Sequence, residues 1–295
     1  MKIGVIGSIN VDLVVGLDKF VRKGETLIGN DIQLYMGGKG ANQATMIKAL
    51  SDSIAFCGAV GNDVYAEKVS THFDSIGLSK DFIQHKTGST GLAIIQLVEG
   101  DNAIVVVPGV NNSFSKHDVD HFLGSNPEIH IMVLQLEINF DIVKYIIKKC
   151  KELDIKVILN PAPAAKLDQN VIDDVDYLIP NETETELIFG SNDYHDVVST
   201  YKGKVLVTLG EKGVIFWDKY ENVPKIVPAN KIKVVDTTGA GDSFVAGFAV
   251  GLLNQLDLQN SIKLGIDVAS MTCESMGAQG AFFKIKDKFK TKEIQ

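Results

Sequence analysis

Short apolar runs that end in polar or glycine-rich clusters recur along this chain, and they limit what it can fold into. Lys2-Ile3-Gly4-Val5-Ile6-Gly7 shows no polar alternation, as expected of a central strand covered on both faces, and gives way to Ser8-Ile9-Asn10-Val11-Asp12. Ile54 to Val60, Ile131 to Leu136, Lys156 to Leu159, Tyr177 to Ile179 and Val205 to Thr208 are further runs of this kind. Four of them finish in Glu137, Asn160-Pro161-Ala162-Pro163, Pro180 through Glu184, and Leu209 through Gly213. Helical stretches alternate with them, at about 63–76, 139–153 and 258–274. Such alternation predicts an α/β fold with a mostly parallel sheet, whose carboxyl-end edge is where ligands bind. Glu137, Asn160, Asn181, Glu184 and Gly210 are therefore expected along one crevice. Asn10 and Asp12, two apart on extended chain, project from the same side at the first strand end, although an Asx turn explains them equally well.

A second set of strands does not fit that alternation. Residues 13–17 and 31–35 are short strand candidates, and 92–98 with 103–107 read as a β-hairpin across Glu99-Gly100-Asp101-Asn102. With no helix inside the hairpin, these strands are expected to form a small separate sheet that covers a site. Between them lies Met36-Gly37-Gly38-Lys39-Gly40-Ala41-Asn42-Gln43-Ala44, a glycine loop that opens a helix. It lacks the G-x-x-x-x-G-K-[ST] spacing of a P-loop.

The stretch Val235-Asp236-Thr237-Thr238-Gly239-Ala240-Gly241-Asp242-Ser243-Phe244 carries the strongest chemical signal. It is expected to join a strand end at Ile232, Val234 and Val235 to a buried helix running to Leu253. First-turn amides of a helix lack intrahelical partners and favour an anion. Asp242 beside them suits phosphoryl transfer, with donors for the moving group and a carboxylate to take the hydroxyl proton. A simple helix cap is the competing reading of this stretch alone.

Composition excludes other classes. A formal charge of −8 opposes non-specific nucleic-acid binding. Cys57, Cys150 and Cys273 are scattered without metal spacing, which suits reduced thiols and a cytoplasmic location. The first residues are broken by Asn10 and Asp12, unlike a signal peptide, and apolar runs are too short to span a membrane. Gly277 is expected to stop the last long helix, and the lysine-rich tail after Phe283 to be solvated helix. No G-x-G-x-x-G follows the first strand, which disfavours a nicotinamide dehydrogenase.

Seven segments in this order resemble the ribokinase-like family of sugar and nucleoside kinases. They are Gly7 through Asp12, Gly37 through Ala44, Gln135-Leu136-Glu137, Asn160 through Pro163, Pro180 through Glu184, Thr208 through Gly213, and Asp236 through Phe244. The resemblance implies a single three-layer α/β/α kinase domain over 1–295, with a β-sheet lid inserted near 10–17, 31–36 and 90–107. It implies ATP-dependent phosphorylation of the 5-hydroxyl of D-ribose, with deoxyribose or another sugar or nucleoside as the alternative acceptor and a non-catalytic sugar sensor as a distant one. Asn10, Asp12, Gly38, Lys39, Asn42 and Glu137 would bind the sugar. Asn181, Thr208, Gly210, Lys212, Gly213 and Gly241 would bind ATP, and Glu184 would position Mg²⁺, or another divalent cation, through water. Gly239, Ala240 and Gly241 would form the anion hole, with Asp242 as base. A potassium ion would sit at Asp236, Thr238, Thr272, Ser275 and Gly277, and the lid would form a homodimer contact. No nucleic-acid or membrane partner is implied.

Overall fold

The computed structural model describes residues 1–99 and 101–290, and its first strand becomes the centre of everything that follows. β1 (Lys2–Ile6), β2 (Asn10–Gly16) and β3 (Ile32–Gly37) lead into helix α1 (Lys39–Leu50). Next come β4 (Ile54–Val60), α2 (Val64–Ile76), β5 (Ile83–His85) and the hairpin of β6 (Gly91–Val98) and β7 (Asp101–Val107). The alternation continues through α3 (Lys116–Ser125), β8 (Ile129–Leu134), α4 (Phe140–Glu152), β9 (Lys156–Leu159), α5 (Gln169–Asp174), β10 (Tyr177–Leu178) and α6 (Glu182–Phe189). The last part holds α7 (Tyr194–Thr200), β11 (Val207–Thr208), β12 (Val214–Asp218) and β13 (Val223–Val227). Helices α8 (Ala240–Leu253), α9 (Leu258–Cys273) and α10 (Phe282–Lys290) complete it.

The central sheet runs in the order β10-β9-β8-β1-β4-β5 with every neighbour parallel. Parallel bridges from Leu178 to Val205 and from Asn181 to Thr208 extend it to β11, beyond which β12 and β13 form an antiparallel edge. Side-chain alternation divides the interior in two. Ile131 and Val133 of β8 face α1, α8 and α9, whereas Met132 and Leu134 face α3 and α4. The chain is thus a three-layer α/β/α sandwich. Fully burying one of its large apolar side chains stabilises by about 1.5–3 kcal/mol.

Helix α8 is buried nearly all round because small residues let α9 approach: a Cβ on Gly247 would meet Gly265 Cα at 2.8 Å, and one on Gly251 would meet Ser261 Cα at 2.8 Å. This explains an apolar run too rich in small residues for a strand. The three cysteines are unpaired, and burial pushes the Cys57 and Cys150 thiols up to about 12. Among the described residues, no helix is long and apolar enough to cross a membrane.

A four-stranded sheet stands apart, in the order β3-β2-β6-β7. β2 is antiparallel to β3 but parallel to β6, because the connection from β2 to β6 passes through the central layers first. The hairpin is present, with Gly100 of its turn outside the described residues. Cross-strand rows place Leu34, Leu13, Ile94 and Val105 on one face, and Tyr35, Asp12, Ala93 and Val106 on the other.

Three local expectations differ from what is observed. Residues 232–235 form no strand; Val234 and Val235 are exposed, and the Val235 amide reaches the Cys273 carbonyl instead of a sheet neighbour. Helix α9 ends at Cys273 with Glu274 as its cap, so Gly277 lies in the turn beyond, at φ +73°. Helix α10 is solvated on one side only, since Ile285 is fully buried against the core; residues 291–295 of the tail lie outside the described residues.

Candidate active site

The site begins where β1 hands the chain to β2. Glycines permit a close crossing of this link by the start of α1: a Cβ on Gly40 would strike the Gly7 carbonyl carbon at 2.5 Å, and one on Gly38 would strike Asn10 N at 2.7 Å. Gly38 caps the helix at φ +87°, a conformation that L side chains rarely adopt. The Ala41 amide donates to the Ser8 carbonyl at 2.9 Å, locking the crossing. Asn10, Asp12, Lys39 and Asn42 are thereby brought to one corner from two segments.

Asp242 enters that corner from the first turn of α8 and is 5% exposed. Asn42 Nδ2 donates to its Oδ2 at 2.9 Å, and Gln43 Nε2 donates to its Oδ1 at 3.0 Å. Both donors are held from behind. Gln135 Nε2 donates to Gln43 Oε1 at 2.6 Å, while Gln279 Nε2 donates to Asn42 Oδ1 at 2.9 Å. Gln43 Nε2 also reaches Asn160 Oδ1 at 3.3 Å. A carboxylate that only caps its helix would bond its own first-turn amides; here its oxygens face α1. Among the described residues, the Gly241 and Asp242 amides have no acceptor, whereas the Ala240 amide is taken by the Thr237 carbonyl at 3.2 Å. A Cβ on Gly241 would meet nothing within 4 Å, so the turn is open on that side. Gly239, at φ +76°, begins this turn and lies against Ala278, where a Cβ would meet Ala278 Cα at 2.7 Å.

Charge is concentrated around one lysine. Lys39 feels Asp242 most strongly, then Glu137 and Glu184; these raise its pKa against the opposing effect of burial. Glu137 Oε2 accepts from Ser8 Oγ at 2.5 Å and from the Lys39 amide at 3.0 Å. Burial, with Glu137 and Asp242 nearby, pushes the Asp12 carboxyl up from 3.8 to about 7. Asn10 is 4% exposed, and its Oδ1 accepts from Asn111 Nδ2 at 2.8 Å.

The adjoining strand ends are built differently. Asn181 caps α6 in a reciprocal box with Glu184: Asn181 Oδ1 accepts from the Glu184 amide and Glu184 Oε2 from the Asn181 amide, both at 2.8 Å. Burial raises the Glu184 pKa, with Asp242 adding to it. Thr208 bridges to Asn181 across the sheet, and Gly210 through Lys212 form an exposed 3-10 turn closed by Gly213 at φ +103°. Asp236 takes the Thr238 amide at 2.9 Å and the Gly277 amide at 2.8 Å, so these three are joined. Ser275 lies in the adjacent turn. Thr272 meets this turn through its backbone and not its side chain. Its hydroxyl pairs with Ser243 Oγ at 2.7 Å, and its carbonyl already accepts the amides of Glu274 and Ser275.

Sequence reasoning gave no role to Ser8, Gln43, Thr45, His72, Asn111, Gln135 or Gln279. Each acts through a partner remote in sequence, and no local period marks them. Adjacent amides on the apolar helix that follows the glycine loop, Asn42-Gln43, were the available signal.

The sequence matches the family profile described as "pfkB family carbohydrate kinase" over residues 1–284. It is 40% identical to the ribokinase of Lactococcus lactis subsp. lactis (strain IL1403), over all of this chain and 98% of that one. It is 32% identical to the deoxyribokinase of Salmonella typhi, over 97% of each chain. Among solved structures it is similar to Arabidopsis thaliana ribokinase complexed with ribose and ATP, with a TM-score of 0.86, 28% identity and 99% of both chains covered.

Proposed function

The chain belongs to the pfkB family of carbohydrate kinases and is a phosphotransferase with an alcohol group as acceptor, and from that premise we propose that it phosphorylates the 5-hydroxyl of D-ribose with ATP. The observation that carries this reading is Asp242: a buried carboxylate fixed through both oxygens, next to open helix-start amides and Lys39. Asp242 takes the hydroxyl proton as the oxygen attacks the γ-phosphorus. The Gly241 amide, with Gly239 and Ala240 shaping the turn, offsets charge on the moving phosphoryl.

Asn10, Asp12, Gly38, Lys39, Asn42 and Glu137 hold the sugar in this reading. Their mixture of acceptors and donors suits a ring bearing several hydroxyls. Asn181, Thr208, Gly210, Lys212 and Gly213 follow along the strand ends as the ATP side. Among the described residues no cluster of three or more His, Cys, Asp or Glu side chains is arranged to hold a metal. A divalent cation would sit with the ATP phosphates and face Glu184 through water, where it would withdraw charge from the phosphates. A monovalent cation fits the joined turns of Asp236, Thr238, Ser275 and Gly277, with the Thr272 carbonyl, bonded to the Ser275 amide, beside them.

The four-stranded sheet is read as the lid. Its face bearing Asp12 covers the sugar, and its opposite face, with Ile32, Leu34, Ile94 and Val105 exposed, joins a second copy. Apolar exposure of that extent is uncommon on a solvated sheet. Ile94→Lys is expected to convert dimer to monomer in sedimentation; an unchanged parent monomer at micromolar concentration rejects the pairing.

An ADP-release assay across D-ribose, 2-deoxyribose, fructose and nucleosides tests the activity, with the highest kcat/KM expected for D-ribose. The similarity to the Salmonella typhi deoxyribokinase makes deoxyribose the second reading, and a higher kcat/KM for it would replace the first. No ADP release with any acceptor would overturn both.

A further inference from the structure

Behind Asp242 a line of buried side chains leaves the site and ends on α2, outside the corner described above. Asn42 (6% exposed) passes from Asp242 to Gln279 (8%), and Gln279 Oε1 meets Thr45 Oγ1 at 3.1 Å and His72 Nε2 at 2.6 Å. His72 is half-buried and borders a cavity of about 800 Å³ lined also by Tyr35, Lys68 and the 276–280 turn.

The direction of this line is fixed from both ends. An ionised carboxylate only accepts hydrogen bonds, so Asn42 must turn its NH₂ toward Asp242 and its carbonyl away. That carbonyl needs a donor, which Gln279 supplies only if its own carbonyl points to Thr45 and His72. Thr45 and an Nε2–H imidazole both donate, and they hold Gln279 in that sense. Gly277, two residues earlier, is bound to Asp236 at 2.8 Å, so the turn carrying Gln279 is anchored to the loop that introduces α8.

We propose that Gln279 and His72 are positioning residues, which reinforce the Asn42 orientation that Asp242 itself favours, so that the amide donates to Asp242 throughout turnover. This rests on Asp242 being the base. Reversal of the Asn42 amide would set its carbonyl against the carboxylate, repelling the charged form and misplacing its oxygens.

Two substitutions of Gln279 separate orientation from packing. Gln279→Glu keeps the shape but places acceptors on both sides of the single donor end of Asn42. Gln279→Met removes the bond and leaves the orientation to Asp242. Expected is a kcat loss of roughly 10- to 100-fold for Gln279→Glu, the scale of a buried hydrogen bond to a charged group. Gln279→Met should lose only about threefold, the scale of one neutral hydrogen bond, with KM for ATP held in both. A Gln279→Glu enzyme within threefold of the parent, or a Gln279→Met enzyme as impaired as Gln279→Glu, overturns the proposal.

His72 gives an independent arm at a less buried position. His72→Gln, which retains a donor, should stay near the parent, whereas His72→Leu should lose severalfold in kcat; equal rates in the two overturn the role of His72. Asp242→Asn is the control. Normal turnover there rejects the base itself, while an inactive Asp242→Asn beside an unaffected Gln279→Glu rejects only the relay.

Discussion

The corner proposed for the sugar and the strand ends proposed for the nucleotide occupy the same edge of the sheet, yet they are held by opposite means. At the first, Asp242 is fixed by residues about 200 positions away in sequence, Glu137 by Ser8, and Asn10 by Asn111. At the second, the cap is local: Asn181 and Glu184 bond each other's amides three residues apart. Long-range bonds fix a carboxylate only once the whole sandwich has assembled, which suits the step demanding the tightest geometry. Local caps form with their own helix and leave the surrounding turn exposed, which suits a flexible, highly charged ligand.

The comparison breaks first at Asp242. Asp242→Asn keeps the shape but removes the proton acceptor, and kcat should fall by roughly 10²–10⁴. Sugar binding should stay close to the parent, with some loss in thermal denaturation because one oxygen that accepts from Asn42 or Gln43 becomes an NH₂. Retained turnover would mean that the long-range bonds serve only the fold.

Asp12 sharpens it next. A carboxyl raised from 3.8 to about 7 keeps in the fold a proton that the unfolded chain releases, so stability declines as pH rises through that window and is flat above it. At 1.36 kcal/mol per pH unit the decline amounts to about 4 kcal/mol. Asp12→Asn should therefore be more stable than the parent at pH 8, and the gain should vanish toward pH 4, while KM for the sugar rises. Urea denaturation at both pH values measures this, and a pH-independent difference would remove the buried-charge account.

Gly91 probes packing in the same corner. A Cβ there would overlap Asn10 Oδ1 and Asn111 Nδ2, so Gly91→Ala should destabilise by about 1–3 kcal/mol and weaken sugar binding. The smallest effect is expected on the nucleotide side. Asn181→Ala removes one cap and should cost about 1 kcal/mol in denaturation, with sugar binding unchanged. If Asn181→Ala proved the more damaging of the two for the sugar, the contrast between the regions would collapse.

The same contrast explains how much could be read from the chain alone. Uninterrupted apolar runs and their polar ends gave the central layers, and Gly239-Ala240-Gly241-Asp242 marked the start of α8. Residues 232–235 look like a strand by composition, but no neighbouring strand edge receives them; the Cys273 carbonyl does. Gly277 has the backbone of a helix stop, yet its φ serves a later turn bonded to Asp236. Gln43, Asn111, Gln135 and Gln279 were silent because their meaning lies in partners that only the folded topology supplies. Amides buried for another residue's benefit leave no periodic trace.

Only Gly7, Ser8 and Ile9 separate the last residue of β1 from Asn10, the first of β2. A swing of the outlying sheet about this link would be centred on the residues proposed to hold the sugar. At about 3.3 Å per residue, Gly16 lies about 20 Å beyond Asn10, so a swing of about 10° would carry the rim about 3.5 Å and leave the grip almost still. On that reading the doorway and the fingers would share one lever at different radii, and the first could be widened or narrowed without recutting the second.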